Sequence, residues 1–140
     1  NIIFMMPKFR TMIISTPNKA SHNLIDPENY ITSFGKFLRL TSLDELPQIY
    51  SILIGDMSFV GPRPALFNQI DLIKLRKKKG VDILLPGITG WAQVNGRDDI
   101  SITKKVELDL EYLNHQSLSF DKKILWMTIL KVIKRHGVSH

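Results

Sequence analysis

Residues 42–64, which read SLDELPQIYSILIGDMSFVGPRP, are the most informative segment for the organisation of this chain. The first part predicts a helix over residues 42–54, because Gly55 is the residue type most common just past a helix end. The remainder, residues 55–64, is rich in glycine and proline and predicts a loop. The helix therefore carries an acidic pair at its start, and the loop ends in an arginine between two prolines.

The acidic pair has a structural interpretation of its own. Ser42 and Glu45 have the spacing of a capping box, which is the more frequent role for such a pattern. Pro47 leaves two registers open, since it either removes an amide bond from a helix that begins at Leu43 or itself marks the first turn. In both registers Asp44 and Glu45 lie at the positive end of the helix and project about 100° apart. We expect them to take separate chemical roles rather than share one proton.

The rest of the chain also has helical spacing. The predicted helices lie near residues 26–39, 65–79, 101–114 and 120–135. Short extended pieces are expected around residues 2–14 and 80–97. Within residues 86–97, three glycines and Asn95 suggest several positive φ angles, and Asn95-Gly96 predicts a type I′ hairpin turn. We therefore expect one compact domain over residues 1–140, α+β in class and dominated by helices.

Composition excludes several classes of site. The 140 residues contain 19 Lys+Arg and 13 Asp+Glu, a net charge of +6, and no cysteine, which excludes thiolate catalysis and Cys-based metal sites. The four histidines have no metal-ligand spacing, and the basic tract over residues 74–79 is expected to be a solvated face. No apolar run approaches the roughly 18 residues of a bilayer span, and no signal peptide is visible. Because the chain begins with Asn1 inside an apolar run, we expect a fragment that has lost an upstream segment.

Three features have both a structural and a functional interpretation. Arg63 is fixed between Pro62 and Pro64, which suits bidentate phosphate binding and equally a salt bridge in a rigid turn. Trp91 could stack on a base or lie at a membrane interface, although such residues are more often core. The helix near residues 120–135 has a wide apolar arc and a basic polar arc. This pattern is typical of a helix on an anionic bilayer, but burial against a core explains such arcs more often.

Five ordered blocks resemble the bacterial sugar transferase family, the monotopic polyprenyl-phosphate phosphoglycosyl transferases. The blocks are residues 8–12 (KFRTM), 34–39 (FGKFLR), 41–48 (TSLDELPQ), 55–64 (GDMSFVGPRP) and 86–97 (PGITGWAQVNGR). The resemblance implies transfer of a sugar 1-phosphate from a UDP-sugar to polyprenyl (undecaprenyl) phosphate, with release of UMP. It further implies that this is the first step of a surface glycan, such as an exopolysaccharide, a capsule, an O-antigen or a glycoprotein glycan.

The same resemblance implies roles for individual residues. Asp44 is the nucleophile that forms a phosphosugar–aspartyl intermediate, and Glu45 is its partner in metal or proton handling. Both carboxylates are implied ligands of Mg²⁺, the expected cofactor. The implied substrate-binding residues are Lys8, Arg10, Arg39, Pro62, Arg63, Pro64 and Arg97. The cations among them would offset the repulsion between a carboxylate and an anionic phosphate, about 4 kcal/mol at 4 Å with an effective dielectric constant near 20.

The resemblance also implies a location and partners. Family members carry an upstream hydrophobic segment that enters the membrane, which we expect this chain to have lost. The implied enzyme is monotopic at the inner (cytoplasmic) membrane, with its catalytic domain on the cytoplasmic face. Its implied partners are the UDP-sugar, the polyprenyl phosphate and the membrane surface, with no nucleic acid. Leu85 and Ile102 replace an Arg and a Trp common in relatives, which bears on substrate details. The alternative is a non-catalytic basic module that binds anionic lipid or nucleic acid and is indifferent to changes at Asp44 and Glu45.

Overall fold

A computed structural model describes residues 3–16, 26–96 and 100–134. The helices are α1 (Ser33–Thr41), α2 (Ile49–Leu53), α3 (Ile70–Lys78), α4 (Trp91–Asn95), α5 (Ile102–His115) and α6 (Leu118–Lys134). The strands are β1 (Ser58–Val60) and β2 (Gly87–Thr89), and 3-10 helices cover Pro27–Tyr30, Leu43–Gln48 and Val81–Ile83. The expected class, α+β and helix-dominated, is confirmed.

The two strands form a small parallel pair at the centre of the fold. Ser58 lies opposite Gly87, and Val60 lies opposite Thr89. β2 falls in a stretch that the sequence predicts to be extended, whereas β1 falls in a stretch expected to be a loop, so that expectation is wrong for residues 58–60. The loop after β1 approaches β2 so closely that a Cβ at Gly87 would overlap the amide nitrogen of Gly61.

The three glycines of residues 86–97 allow close contact with neighbouring segments and do not have left-handed backbone. Among the described glycines, positive φ angles occur at Gly55 (87°) and Gly80 (71°). Gly90 is extended, and the φ angles of Gly90 and Gly96, −171° and 171°, both lie outside the left-handed region. A Cβ at Gly90 would overlap the carbonyl oxygen of Gly61. The expectation of positive φ angles there is wrong, because the constraint comes from a neighbouring segment.

The hairpin turn predicted at Asn95-Gly96 is also wrong. Residues 91–95 form the short helix α4 instead. The Asn95 side-chain amide donates to the carbonyl of Trp91 at 2.8 Å, one helical turn back. The asparagine thus satisfies a carbonyl of its own helix rather than directing a reversal of the chain.

Side-chain caps fix where α1 and α5 begin. The Thr32 hydroxyl accepts from the Gly35 amide at 2.9 Å, and the Ser101 hydroxyl accepts from the Lys104 amide at 3.2 Å. The helix predicted over residues 26–39 is consequently divided into a 3-10 turn and α1. The break lies at Ile31, which is extended and pairs with Met12 in an antiparallel bridge.

The helix predicted over residues 65–79 begins five residues late. The Gln69 side chain accepts from the Leu66 amide at 3.1 Å, and the Gln69 amide donates to the Leu66 carbonyl at 2.9 Å. These two bonds hold residues 66–69 as a turn, so α3 starts only at Ile70. Local side-chain bonding of this kind competes with helix formation.

The core consists of two clusters joined by Leu84. The first contains Val60, Val94, Tyr112 and Ile124, and the second contains Leu72, Val81 and Val106. Trp91 packs against the first cluster, with its ring centroid 4.9 Å from that of Phe120. Of the two interpretations of Trp91, the structure favours the core. Burial, together with the Asp121 carboxylate that accepts from its hydroxyl at 2.7 Å, raises the pKa of the Tyr112 phenol.

Helix α6 is two-sided. Ile124 is fully buried on the core side, whereas Trp126, Ile129 and Ile133 are 62%, 50% and 71% exposed. Burial against the core is therefore confirmed for one side of the helix, and the bilayer interpretation stays a prediction for its exposed side. Within the described ranges, none of the helices has the length and apolar character needed to cross a bilayer.

Candidate active site

The acidic pair lies buried on the 3-10 helix Leu43–Gln48. Asp44 and Glu45 are 3% and 8% exposed. Ser42 adopts a left-handed conformation (φ 58°) at the end of α1, and its side chain forms no capping bond. The capping-box interpretation is therefore wrong: Ser42 has a left-handed backbone rather than the extended backbone of an N-cap, and its carbonyl, not its hydroxyl, accepts from the Glu45 amide at 3.2 Å. The two carboxylates are thus free of a capping role.

Lys8 supplies the nearest positive charge to this pair. Its ammonium nitrogen lies 2.8 Å from Oδ2 of Asp44 and 3.5 Å from Oε1 of Glu45. A backbone hydrogen bond holds Lys8 close to the acidic pair, because the amide of the next residue, Phe9, donates to the Asp44 carbonyl at 2.9 Å. The prediction that Lys8 lies with the acidic pair agrees with this geometry.

Arg63 approaches the same pair from the loop after β1. Its guanidinium lies 3.3 Å from Oε1 of Glu45. Pro62 is buried and Pro64 is half-buried, so both prolines pack into the protein on either side of Arg63. The site is a row of alternating charges, with Lys8 between the two carboxylates and Arg63 beyond Glu45.

The other predicted cations are placed differently. Arg39 donates from Nε to the Thr11 hydroxyl at 2.8 Å, so it fastens the segment that carries Lys8. Arg10 is exposed, and in the described part of the chain it forms no ion pair. Arg97 lies outside the described residues. The structure therefore brings together Asp44, Glu45, Lys8 and Arg63 from the predicted set.

A cavity of about 300 Å³ opens beside these groups. Glu45 and Arg63 line it, together with Lys131 of α6. Much of the remaining wall is apolar, formed by Leu40, Leu46, Ile49, Phe59, Ile88, Val94 and Val132. Charged groups and an apolar wall thus meet in a single space.

The sequence did not single out the ion pair of Arg76 with Asp109. Arg76 donates to Asp109 Oδ2 from Nε at 2.9 Å, its second terminal nitrogen lies 2.8 Å from the same oxygen, and its other terminal nitrogen donates to the Arg63 carbonyl at 2.8 Å. The expectation that residues 74–79 form a solvated face is wrong for Arg76, whose side chain is 12% exposed. One signal was present: Arg76 lies one turn after the buried Leu72, on the same helix face.

Asp109 is buried at 2% exposure. Burial raises the pKa of its carboxyl above the ordinary value of 3.8, although the charges of Arg76 and Lys105 oppose that shift. Its position among apolar neighbours of α5 was visible in the sequence, but its partner lies on another helix.

The chemistry of the donor set fits Mg²⁺. Mg²⁺ is usually bound by one or two carboxylates together with substrate phosphates, and Asp44 and Glu45 offer two adjacent carboxylates. Among the described residues, no group of three or more His, Asp or Glu forms a complete protein cage. Because Lys8 contacts both carboxylates, a cation bound there would compete with its ammonium.

Comparison with known proteins identifies the family of this chain. The bacterial sugar transferase family matches residues 1–135. The chain is 43% identical over 135 residues to the "Uncharacterized sugar transferase EpsL" of Bacillus subtilis, covering 96% of this chain and 65% of that relative. It is 42% identical over 136 residues to the "UDP-glucose:undecaprenyl-phosphate glucose-1-phosphate transferase" of Escherichia coli, covering 89% of this chain and 28% of that relative.

A third relative has a different sugar in its name. The chain is 43% identical over 153 residues to the "Undecaprenyl-phosphate galactose phosphotransferase" of Salmonella typhimurium, covering 96% of this chain and 31% of that relative. The chain thus spans less than two-thirds of the length of each of these relatives. It belongs to the bacterial sugar transferase family, and the resemblance carried by its five sequence blocks is confirmed.

Proposed function

We propose that this chain is the catalytic domain of a phosphoglycosyl transferase, which moves a sugar 1-phosphate from a UDP-sugar to undecaprenyl phosphate. The single observation that carries the proposal is the buried pair Asp44 and Glu45 with Lys8 at 2.8 Å and Arg63 at 3.3 Å. The names of the Escherichia coli and Salmonella typhimurium relatives support both substrates. The product would begin a surface glycan.

In the proposed first step, an Asp44 carboxylate oxygen attacks the β-phosphorus of the UDP-sugar. A bond forms between that oxygen and phosphorus, and the bond from phosphorus to the bridging oxygen breaks. The bridging oxygen keeps the electron pair and leaves as part of UMP. A phosphate oxygen of undecaprenyl phosphate then attacks the same phosphorus, and the aspartyl oxygen leaves as the carboxylate. No net proton transfer is needed.

The site chemistry suits these steps. A carboxylate and a diphosphate repel each other by about 4 kcal/mol per pair of charges at 4 Å and an effective dielectric constant near 20. Lys8 and Arg63 lie where they offset that repulsion. Asp44 and Glu45 would hold Mg²⁺, which screens phosphate charge when bound. Covalent capture lets UMP depart before the lipid phosphate attacks.

The apolar groups fit a lipid acceptor. The cavity beside Glu45 has apolar walls, and the exposed side of α6 carries Trp126, Ile129 and Ile133. We place this side of α6 at the cytoplasmic surface of the inner membrane, in a monotopic arrangement. A helix with one apolar side and basic flanks binds such interfaces.

The test is release of UMP from a panel of UDP-sugars by the full-length protein in membranes that contain undecaprenyl phosphate. We expect Mg²⁺-dependent release, and a radiolabelled sugar-phosphate adduct on Asp44 when the acceptor is omitted. Asp44→Asn should abolish both, whereas Asp82→Asn at an exposed position should change neither. If Asp44→Asn released UMP as fast as the parent, the nucleophile assignment would be wrong. Salt-sensitive binding of nucleic acid or lipid with no UMP release would favour the basic module instead.

A further inference from the structure

We propose that Arg76 and Asp109 are positioning residues, which hold the backbone of Arg63 so that its guanidinium faces Glu45. This inference rests on the proposed function, because it concerns the same site. Neither residue touches the acidic pair. Their link to it is one hydrogen bond, from a terminal nitrogen of Arg76 to the Arg63 carbonyl at 2.8 Å.

The loop over residues 61–64 has few ways to be anchored. Pro62 and Pro64 have no amide hydrogen, so within this segment only Gly61 and Arg63 have a backbone amide that can donate. The Gly61 amide donates to the Thr89 carbonyl at 2.9 Å, and the Pro62 carbonyl accepts from the Gly87 amide at 2.9 Å. Both of these bonds lie on the side of β2. The bond from Arg76 fixes the carbonyl of Arg63 itself, from the side of α3.

The Arg76 side chain is itself held rigidly. The Asp109 carboxylate contacts two nitrogens of Arg76, Nε at 2.9 Å and one terminal nitrogen at 2.8 Å. The other terminal nitrogen of Arg76 donates to the Arg63 carbonyl in the loop. Arginine suits this task because its planar group presents donors in a fixed fork. The pair also joins three segments, since Arg76 lies on α3, Asp109 on α5 and Arg63 in the loop.

A salt bridge that only stabilises the fold and a pair that positions Arg63 differ in their effect on activity when both partners are replaced. Removing one partner leaves a buried charge and is strongly destabilising, so single variants would confound the two roles. Replacing both partners by apolar residues of similar size is often neutral or stabilising. The double variant Arg76→Met/Asp109→Leu therefore keeps the fold while removing the donor to Arg63.

The experiment compares the full-length parent, this double variant and the control Lys104→Met/Glu107→Leu, which removes an exposed ion pair from α5. We expect the Arg76/Asp109 variant to unfold at or near the parent temperature but to lose roughly 10- to 100-fold in kcat/KM for UMP release, as a displaced catalytic group does. The control should retain the parent kcat/KM. Exchange of the Gly61 amide hydrogen, which is bonded to the Thr89 carbonyl, should quicken in the Arg76/Asp109 variant alone.

Repeating the Arg76/Asp109 replacement in protein that carries Arg63→Lys tests whether its effect on kcat/KM acts through Arg63. In protein that carries Arg63→Lys, the Arg76/Asp109 replacement should cause less than its full loss in kcat/KM, because the two changes act through one group. Unchanged kcat/KM in the double variant, or a full loss in the Arg63→Lys background, would overturn the proposal. If the parent releases no UMP, the proposed function fails, and unchanged exchange of the Gly61 amide hydrogen would then be the separate result that overturns the positioning role.

Discussion

The ammonium of Lys8 lies 2.8 Å from Oδ2 of Asp44, and the Lys8 side chain is 40% exposed, so the buried carboxylate has its counter-charge on a partly exposed side chain. The same ammonium lies 3.5 Å from Glu45. An incoming diphosphate would meet a site whose negative charges are already partly balanced. Lys8 can also turn from the carboxylates toward the phosphate, because its side chain is long and only its tip is engaged.

The first prediction concerns that counter-charge. Lys8→Met should lower kcat/KM for UMP release by roughly 100-fold, the scale seen when one stabilising donor is lost from a reacting centre. Lys8→Arg should restore part of it. Lys36→Met, on the exposed side of α1, is the matched control and should leave the rate unchanged. Parent-like activity in Lys8→Met would show that the charge balance lies elsewhere.

The second prediction concerns the close crossing of β2 and the loop after β1. Gly87→Ala places a Cβ against the Gly61 amide, so we expect a loss of about 1–3 kcal/mol in the free energy of unfolding. Gly55→Ala has open space around its Cβ but a φ angle of 87°, and it should cost only about 1 kcal/mol. Urea denaturation of both variants measures the difference. Equal losses would mean that the crossing relaxes without strain.

The third prediction follows from the buried carboxyl of Asp109. Its pKa is raised in the folded chain above the ordinary 3.8, so between pH 3.8 and the folded pKa the folded state binds more protons than the unfolded state. The contribution of this proton to stability is full below pH 3.8 and is lost as the pH rises through the folded pKa. A carboxyl ¹³C titration by NMR should locate that folded pKa above 3.8. A value at or below 3.8 would mean that attraction to Arg76 outweighs burial.

The fourth prediction tests the exposed side of α6. Trp126→Ser together with Ile129→Ser should reduce cosedimentation with vesicles of anionic phospholipid, because less apolar area can enter the interface. Ile83→Ser is the control: Ile83 is 76% exposed, but it lies on the 3-10 helix that packs against α3 and α5. Equal binding by the α6 variant and the control would remove α6 from the membrane-facing surface.

Long amphipathic helices were the part of the fold that the sequence predicted well. α5 and α6 begin and end within two residues of the predicted bounds, because Ser101 caps the first and many regularly spaced apolar residues define the second. The errors fall where a distant segment decides the backbone. Gly87 and Gly90 are required by the loop at Gly61, a contact that spacing along the chain does not contain.

The candidate site divides in the same way. Asp44, Glu45, Lys8 and Arg63 were selected from sequence blocks, and the structure brings all four together; their chemical roles stay predictions. Arg76 was missed because it stands in a run of basic residues that is typical of a solvated face. Only the packing of α3 against α5 shows that this one side chain turns inward to Asp109.

The backbone at Thr11 packs directly against α1 at Gly35. A Cβ at Gly35 would overlap the Thr11 carbonyl, so this close contact requires glycine. Three residues before Thr11 stands Lys8. A single methyl group added to α1 at Gly35 would therefore displace the segment that carries Lys8, and the ammonium would move away from the Asp44 carboxylate.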